Sequence, residues 1–442
     1  MLQEVDYLME CCSSGDFAER GGLALPNVIF CFQGFLMLHS VRTASLAVFA
    51  LALAGTALAA DYENPPVLSA AALLGPDAQA QGYKVQERVG SDGYLHIYKI
   101  ETPWGIVSAQ GDQIMHMRIK EIQALDAMDQ TAKSKEFGDA LVSAGLKPVE
   151  FAGNLVTHPV NTVKQTVTGV GQLFSSVGSG IRNAGKTQDT MVESVTGAAK
   201  QRRLIAYNYG IDPYTDLVPL KDKLDQMSRA AAAGGLAVTG AFIMIPGAAG
   251  TIISNVSSAQ TLNEMVRENT AAQLMDINRK TLRKTGANRD LIEKLLVNPN
   301  YTPTDMTVFA GALGTMGKLQ NIDVLIGRAV KVDDRDEAFF MRRNAELMSA
   351  RQAKVGDITG FASLPSMPLP FATSRSNGLT GVFALDMLAW TKDNSEAITA
   401  LTEAARTQGM NGPLILSITG SATPLAQQQL AALGWKLEQA AQ

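Results

Sequence analysis

The sequence predicts an α+β protein, mainly α-helical, and three observations carry that expectation. Short alternating runs separated by glycine, "GYKVQERV", "YLHIYKIE" and "WGIVSAQG", lie near residue 100. From about residue 201 to 360 apolar residues recur at three- and four-residue spacing, the period of a helix face. Residues 379–442 alternate strand-like and helix-like runs, the mark of a small α/β unit. A hydrophobic fraction of 46% with only 6% aromatics suits closely packed helices better than a β-sandwich.

The chain has 442 residues, enough for two or three domains. Charged residues make up 18% and the net charge is -4, which excludes a basic footprint for nucleic acid.

The first element is a leader. In "MLHSVRTASLAVFALALAGTALAADYENPP", His39 and Arg42 form a polar start, Ala44 to Ala54 is apolar apart from Ser45, and Ala57-Leu58-Ala59 has small residues at the cleavage spacing. The run falls short of the roughly 20 residues of a spanning helix. Residues 37–59 therefore read as a signal peptide, cut between Ala59 and Ala60, and residues 1–36 as translated upstream sequence with Met37 the initiator. Cys11, Cys12 and Cys31 all precede the cut, so the mature chain has no cysteine for a disulfide or a thiol nucleophile. The first 59 residues hold five acids and two bases, leaving 37 acids against 36 bases.

Residues 60–130 read as a three-strand β meander followed by a helix. "GSDG" supplies the turn between the first two strands. Ile114, Met115, Ile119, Ile122, Leu125 and Met128 give the helix one apolar face, with Asp112 placed as its cap.

Residues 131–200 shift to glycine, serine, threonine and valine and read as a helical link. Within it "GSGIRNAGKTQ" places Gly180, Gly185, Lys186 and Thr187 at the spacing of a phosphate-binding loop. Such a loop must follow a buried strand that aims its N–H groups at the phosphates. Here Val163, Val167, Val170, Phe174, Val177 and Ile181 form a helical stripe instead. The match reads as chance, and no nucleotide or other cofactor is expected.

Residues 201–360 read as a helical domain. It contains an uncharged run, Ala230 to Val256, that Pro246 divides into a buried hairpin or a membrane-inserting pair. The charge-rich "DDRDEAFFMRRNAELMSARQ" reads as the longest helix with a solvated face.

Residues 361–378, around "LPSMPLPF", read as a proline-rich linker, and 379–442 as a βαβαβ unit. Ligands of such units sit beyond the carboxyl ends of the strands, where helix N-termini present N–H groups. Thr419, Gly420, Ser421 and Thr423 occupy that place and form a candidate small-anion site, against the simpler reading of a capped loop. His96 in a strand, His116 on the first helix and His158 before a proline have no metal-ligand spacing, so no metal is expected. No catalytic residue is assigned; Asp386, an acid inside an apolar strand, is the one position whose ionisation calls for measurement.

The strings "GYKVQERVGSDGYLHIYKIETPWGIVSAQG", "LVTHPVNTVKQTVTGVGQLF", "YGIDPYTDLVPLKDKL", "YTPTDMTVFAGAL" and "DEAFFMRRNAELM", in this order, resemble a family of uncharacterised exported proteobacterial proteins. The resemblance implies export and a shared fold and brings no activity with it. The expected function is that of a periplasmic or secreted envelope protein, a non-catalytic scaffold binding another envelope protein. One alternative is a membrane-active protein that inserts 230–256; another is a hydrolase or small-anion binder using the C-terminal unit.

Overall fold

The computed structural model describes residues 62–132, 197–233, 259–364 and 369–440. The expectations for the leader and its Ala59–Ala60 cut, for most of the glycine-rich link with Gly180–Thr187, and for nearly all of the 230–256 hairpin lie outside the described residues. The fold is α+β. Among the described residues no helix is long and apolar enough to cross a membrane.

The first layer is an antiparallel sheet of β1 (Leu68–Ser69), β2 (Gln79–Ala80), β3 (Tyr83–Val85), β4 (Arg88–Ser91), β5 (His96–Thr102) and β6 (Gly105–Gln110), with the short helix α1 (Ala70–Leu74) after β1. The meander is thus present and larger than its three expected strands. "GYKVQERV" divides at Gln86 into β3 and β4, which both pair with the same edge of β5. Along β5, His96, Tyr98 and Ile100 point inward and Lys99 and Glu101 outward, the period-two pattern of a half-buried strand.

Helix α2 (Asp112–Ala132) buries all six residues of its expected stripe against this sheet. The same core takes in α3 (Ala198–Tyr209) and α4 (Val218–Ala232) through Ile205, Tyr209, Leu220, Leu224 and Met227. These two helices therefore share an apolar core with the sheet rather than with the helical array that follows them in sequence.

That array comprises α5 (Ala259–Glu268), α6 (Ala271–Lys284), α7 (Arg289–Leu296), α8 (Pro303–Met316), α9 (Ile322–Val330) and α10 (Arg335–Lys354). Side chains of Thr270, Asn288, Thr302 and Asp334 cap α6, α7, α8 and α10, satisfying N–H groups that a helix start leaves open. Helix α8 lies in the middle, between α6 and α10, with Phe309 fully enclosed. Truncating such a phenylalanine to alanine costs about 3–5 kcal/mol. Gly314 lets α8 and α6 approach, since a Cβ there would stand 2.6 Å from the Thr281 methyl.

The C-terminal unit has strands β7 (Ile358–Phe361), β8 (Ala372–Ser374), β9 (Leu379–Phe383), β11 (Leu414–Ile418) and β13 (Trp435–Gln439), in the order β13-β11-β9-β8-β7. The βαβαβ expectation matches β9, β11 and β13, which run parallel and are joined by α11 (Lys392–Thr407) and α12 (Pro424–Ala432). The segment expected as a linker instead supplies the antiparallel strand β8, which adds β7 to the sheet. Its prolines lie outside that strand, so composition concealed it. Beyond the carboxyl ends of β9 and β11, β10 (Met387–Leu388) pairs with β12 (Ser421–Ala422).

The charge-rich helix α10 is not solvated on its charged side. Glu337, Arg342, Arg343, Asn344 and Glu346 are all buried. Charges enter a protein interior only when paired or hydrogen-bonded, and this helix brings both signs with it.

Candidate functional site

Two apolar cores, one under the N-terminal sheet and one shared by the array and the C-terminal sheet, meet along a polar seam. The seam encloses a cavity of about 510 Å³, within the roughly 300–1,000 Å³ of small-ligand sites.

One wall comes from the junction of β6 and α2. Gly111 makes the turn with φ +99, a conformation that glycine adopts freely, and its N–H bonds the His96 carbonyl at 2.8 Å. Asp112 is therefore the first helical residue, and its carboxylate does not cap the helix as expected. Its Oδ1 accepts His96 Nδ1 at 2.7 Å and the Tyr98 hydroxyl at 2.5 Å. His96 and Tyr98 can both reach it because residues two apart on a strand share a face.

Asp386 arrives from the C-terminal unit, three residues past the end of β9. Its Oδ2 accepts the backbone N–H of His96 at 2.9 Å and of Asp112 at 3.1 Å. Its own N–H bonds the Tyr94 carbonyl at 3.0 Å. Among the described residues the hydrogen bonds of the two carboxylates fall on Asp112 Oδ1 and Asp386 Oδ2, which leaves Asp112 Oδ2 and Asp386 Oδ1 open there, and both residues line the cavity.

The two acids are driven apart in acidity. Burial pushes Asp386 up, the charge of Asp112 adds to this, and the N–H groups of His96 and Asp112 only partly offset it, leaving a pKa of about 7. For Asp112 burial is outweighed by hydrogen bonds from His96 and Tyr98 and by the charges of His96 and His116, so it lies below the usual aspartate value. Burial would lower His96, but the hydrogen bond and charge of Asp112, with Asp386 and Asp92 behind it, raise it.

The opposite wall is α10. Arg335, Phe339, Arg342 and Arg343 follow helical spacing onto one face and line the cavity. Arg335 donates to the buried Asp305 on α8 and to the Asn300 carbonyl. Arg343 donates to Glu346 at 2.6 Å. Arg342 differs. Its side chain is 7% exposed, its guanidinium makes no hydrogen bond among the described residues, and the acid oxygens paired with its Nε, on Asp305 and Glu346, stand 3.6 and 3.5 Å away. Its guanidinium lies 4.3 Å from the centre of the Phe339 ring.

Further polar groups close the seam. Arg118 bridges Glu121 and Asp216, each at 2.7 Å, and Thr215 donates to Glu121 at 2.5 Å. Asp212 accepts the Thr304 hydroxyl at 2.7 Å and the Tyr214 N–H at 2.9 Å; burial and the charge of Asp305 push it up to about 6.

Of the residues expected to bind an anion, Thr419 and Gly420 line the cavity, while Ser421 and Thr423 do not. The four N–H groups that were to hold it are spent. Those of Thr419, Gly420, Ser421 and Thr423 bond the carbonyls of Phe383, Leu385, Asp386 and Leu388 at 3.3, 2.8, 3.1 and 2.9 Å. Thr423 caps α12 as expected, yet its hydroxyl also donates to Glu63. The expected mode, backbone capture at a helix start, is therefore replaced by a loop stitched to the β9–β10 segment.

Donor atoms of His96, Asp112 and Asp386 lie within 4.8 Å of one another, a spacing compatible with a metal ion. Here those donors serve one another and the backbone. His116, on the cavity rim, bonds its Nδ1 to the Asp112 carbonyl at 2.6 Å. Sequence reasoning marked Asp386 and missed Arg342, whose only trace was the dense mixture of signs in "RDEAFFMRRNAE".

Compared with known proteins, the chain matches no family model, no curated protein and no solved structure. The chemistry of the cavity is what bears on function.

Proposed function

We propose that this is an exported cell-envelope protein that works by binding, and that its central cavity captures a small molecule bearing a carboxylate or phosphate group. Arg342 carries the reading. Withdrawing a guanidinium from water costs several kcal/mol unless its N–H groups find acceptors. Arg342 lines the cavity, is 7% exposed, and makes no hydrogen bond among the described residues beyond ion pairs at 3.5 and 3.6 Å. An oxyanion in the cavity would supply acceptors, and the planar fork of arginine suits two parallel bonds to such a group.

Export is supported by the leader pattern of residues 37–59. The cysteine-free mature chain suits an oxidising compartment.

Isothermal titration with succinate and with inorganic phosphate tests the binding reading. Saturable binding of either, lost in Arg342→Gln, is the expected result; heats of dilution alone would overturn it. N-terminal sequencing of protein recovered from the envelope tests export, with Ala60 expected as the first residue.

A further inference from the structure

The cavity has a second pole. Among the described residues, Asp112 Oδ2 and Asp386 Oδ1 accept no hydrogen bond and belong to no arginine pair. Most other acids of the seam are engaged: Asp305 with Arg335, Glu121 with Arg118 and Thr215, and Asp212 with Thr304. The open oxygens also come from two elements that the backbone locks together, since the N–H groups of His96 and Asp112 both bond Asp386. They are therefore held rigidly, as a recognition site requires.

Resting on the anion reading above, we propose that the ligand is a zwitterion of amino-acid or short-peptide type, with its anionic group at Arg342 and its ammonium group between Asp386 and Asp112. An ammonium has three donors and no acceptor, which matches two outward-facing carboxylate oxygens and mismatches the arginine wall. The lining between the poles includes Met117, Ile211, Phe339 and Leu385, apolar surface for an aliphatic or aromatic side chain. A plain dianion would bind through Arg342 alone and leave the acid pole unmatched, and a plain diamine would leave Arg342 unmatched.

A proton signature follows. The charged and titratable groups acting on Asp386 are Asp112 from α2 and His96 and Tyr98 from β5; His116 acts on Asp112, and Asp92 on His96. Asp386 holds its proton up to about pH 7. An arriving ammonium favours the ionised carboxylate, so binding releases a proton to buffer wherever Asp386 is protonated in the free protein. Affinity therefore rises with pH between 5 and 7.

The experiment is titration calorimetry of the intact protein with free amino acids and dipeptides, dialanine among them, with N-acetyl-dialanine, and with succinate, at pH 5, 6 and 7. Dialanine or another zwitterion is expected to bind at least tenfold more tightly than its N-acetyl form. Asp386→Asn is expected to remove that preference and the pH dependence. The variant's circular dichroism and its succinate binding show whether the fold is intact. Equal binding of the free and acetylated peptides, or binding of succinate with no zwitterion bound, overturns the ammonium assignment and leaves the anion reading standing. No binding of any probe overturns both.

Discussion

The carboxylate of Asp386 accepts the backbone N–H of His96 at 2.9 Å across a sequence separation of 290 residues, and that bond ties the C-terminal unit to the N-terminal sheet. The same oxygen holds the first N–H of α2, so a single acid fixes strand, helix and sheet end around one cavity.

This arrangement makes stability depend on pH in a defined direction. The fold keeps the Asp386 proton up to about pH 7, whereas the unfolded chain releases it near the ordinary aspartate value of 3.8. Between those points the fold holds a proton that the unfolded chain has lost, so this group's stabilisation declines as pH rises and is level above about 7. Asp386→Asn keeps an oxygen for the two N–H groups and removes the titration. Relative to wild type it should gain roughly 2–4 kcal/mol between pH 4 and pH 8, measured by urea unfolding at each pH. An unchanged difference across that range would contradict the assignment.

Two buried arginines should respond oppositely to the same replacement. Arg118 holds Glu121 and Asp216, so Arg118→Met strands two carboxylates and should cost about 3–5 kcal/mol. Arg342 makes no hydrogen bond among the described residues and only looser ion pairs at 3.5 and 3.6 Å, to acids that keep Arg335 and Arg343, so Arg342→Met should cost under about 1 kcal/mol or stabilise, while abolishing anion binding. Paired urea melts decide between these outcomes.

The loop after β11 admits no side chain at Gly420. A Cβ there would lie 1.9 Å from the Asp386 carbonyl oxygen, a backbone atom that cannot give way without breaking the β10–β12 pairing. Gly420→Ala should lower the melting temperature by several degrees, on the order of a 2–3 kcal/mol loss, and weaken binding of any cavity ligand. A wild-type melt would show that the loop repacks freely.

Glu63 latches the start of the described chain to the C-terminal unit, accepting the Trp390 N–H at 2.7 Å and the Thr423 hydroxyl, while its own N–H bonds the Trp390 carbonyl at 2.8 Å. Glu63→Ala leaves two donors unmatched and should cost about 1–3 kcal/mol. Limited proteolysis should then cut near residue 65 faster than in wild type, with the remainder of the digest unchanged.

What was legible in the sequence were the features written locally. The stripe from Ile114 to Met128 specified α2 because a helix face is set by spacing alone, and Thr423-Pro424 with Gly434 bounded α12 because caps act within one turn. The βαβαβ order of the C-terminal unit followed from the same local signals. Strand β8 was not legible, since its three residues form a strand only through partners on β7 and β9. The sign-rich helix α10 reads as solvated by composition. It is buried because α8 and β9 pack on it, and beside its own i,i+3 and i,i+4 pairs at Glu346 it meets Asp305 on α8, a partner no linear pattern encodes.

Residue order alone was enough for the α+β class, for the absence of cysteine after position 31 and for singling out Asp386, although it read that acid as inside a strand that in fact ends at Phe383. It took the tertiary structure to bring Asp386 to His96 and Asp112, to set Arg342 in the wall of the same cavity, and to engage the N–H groups of Thr419, Gly420, Ser421 and Thr423 with neighbouring carbonyls. The reason is that ionisation, hydrogen-bond satisfaction and burial depend on what stands within a few ångströms, and those neighbours lie hundreds of residues apart along the chain.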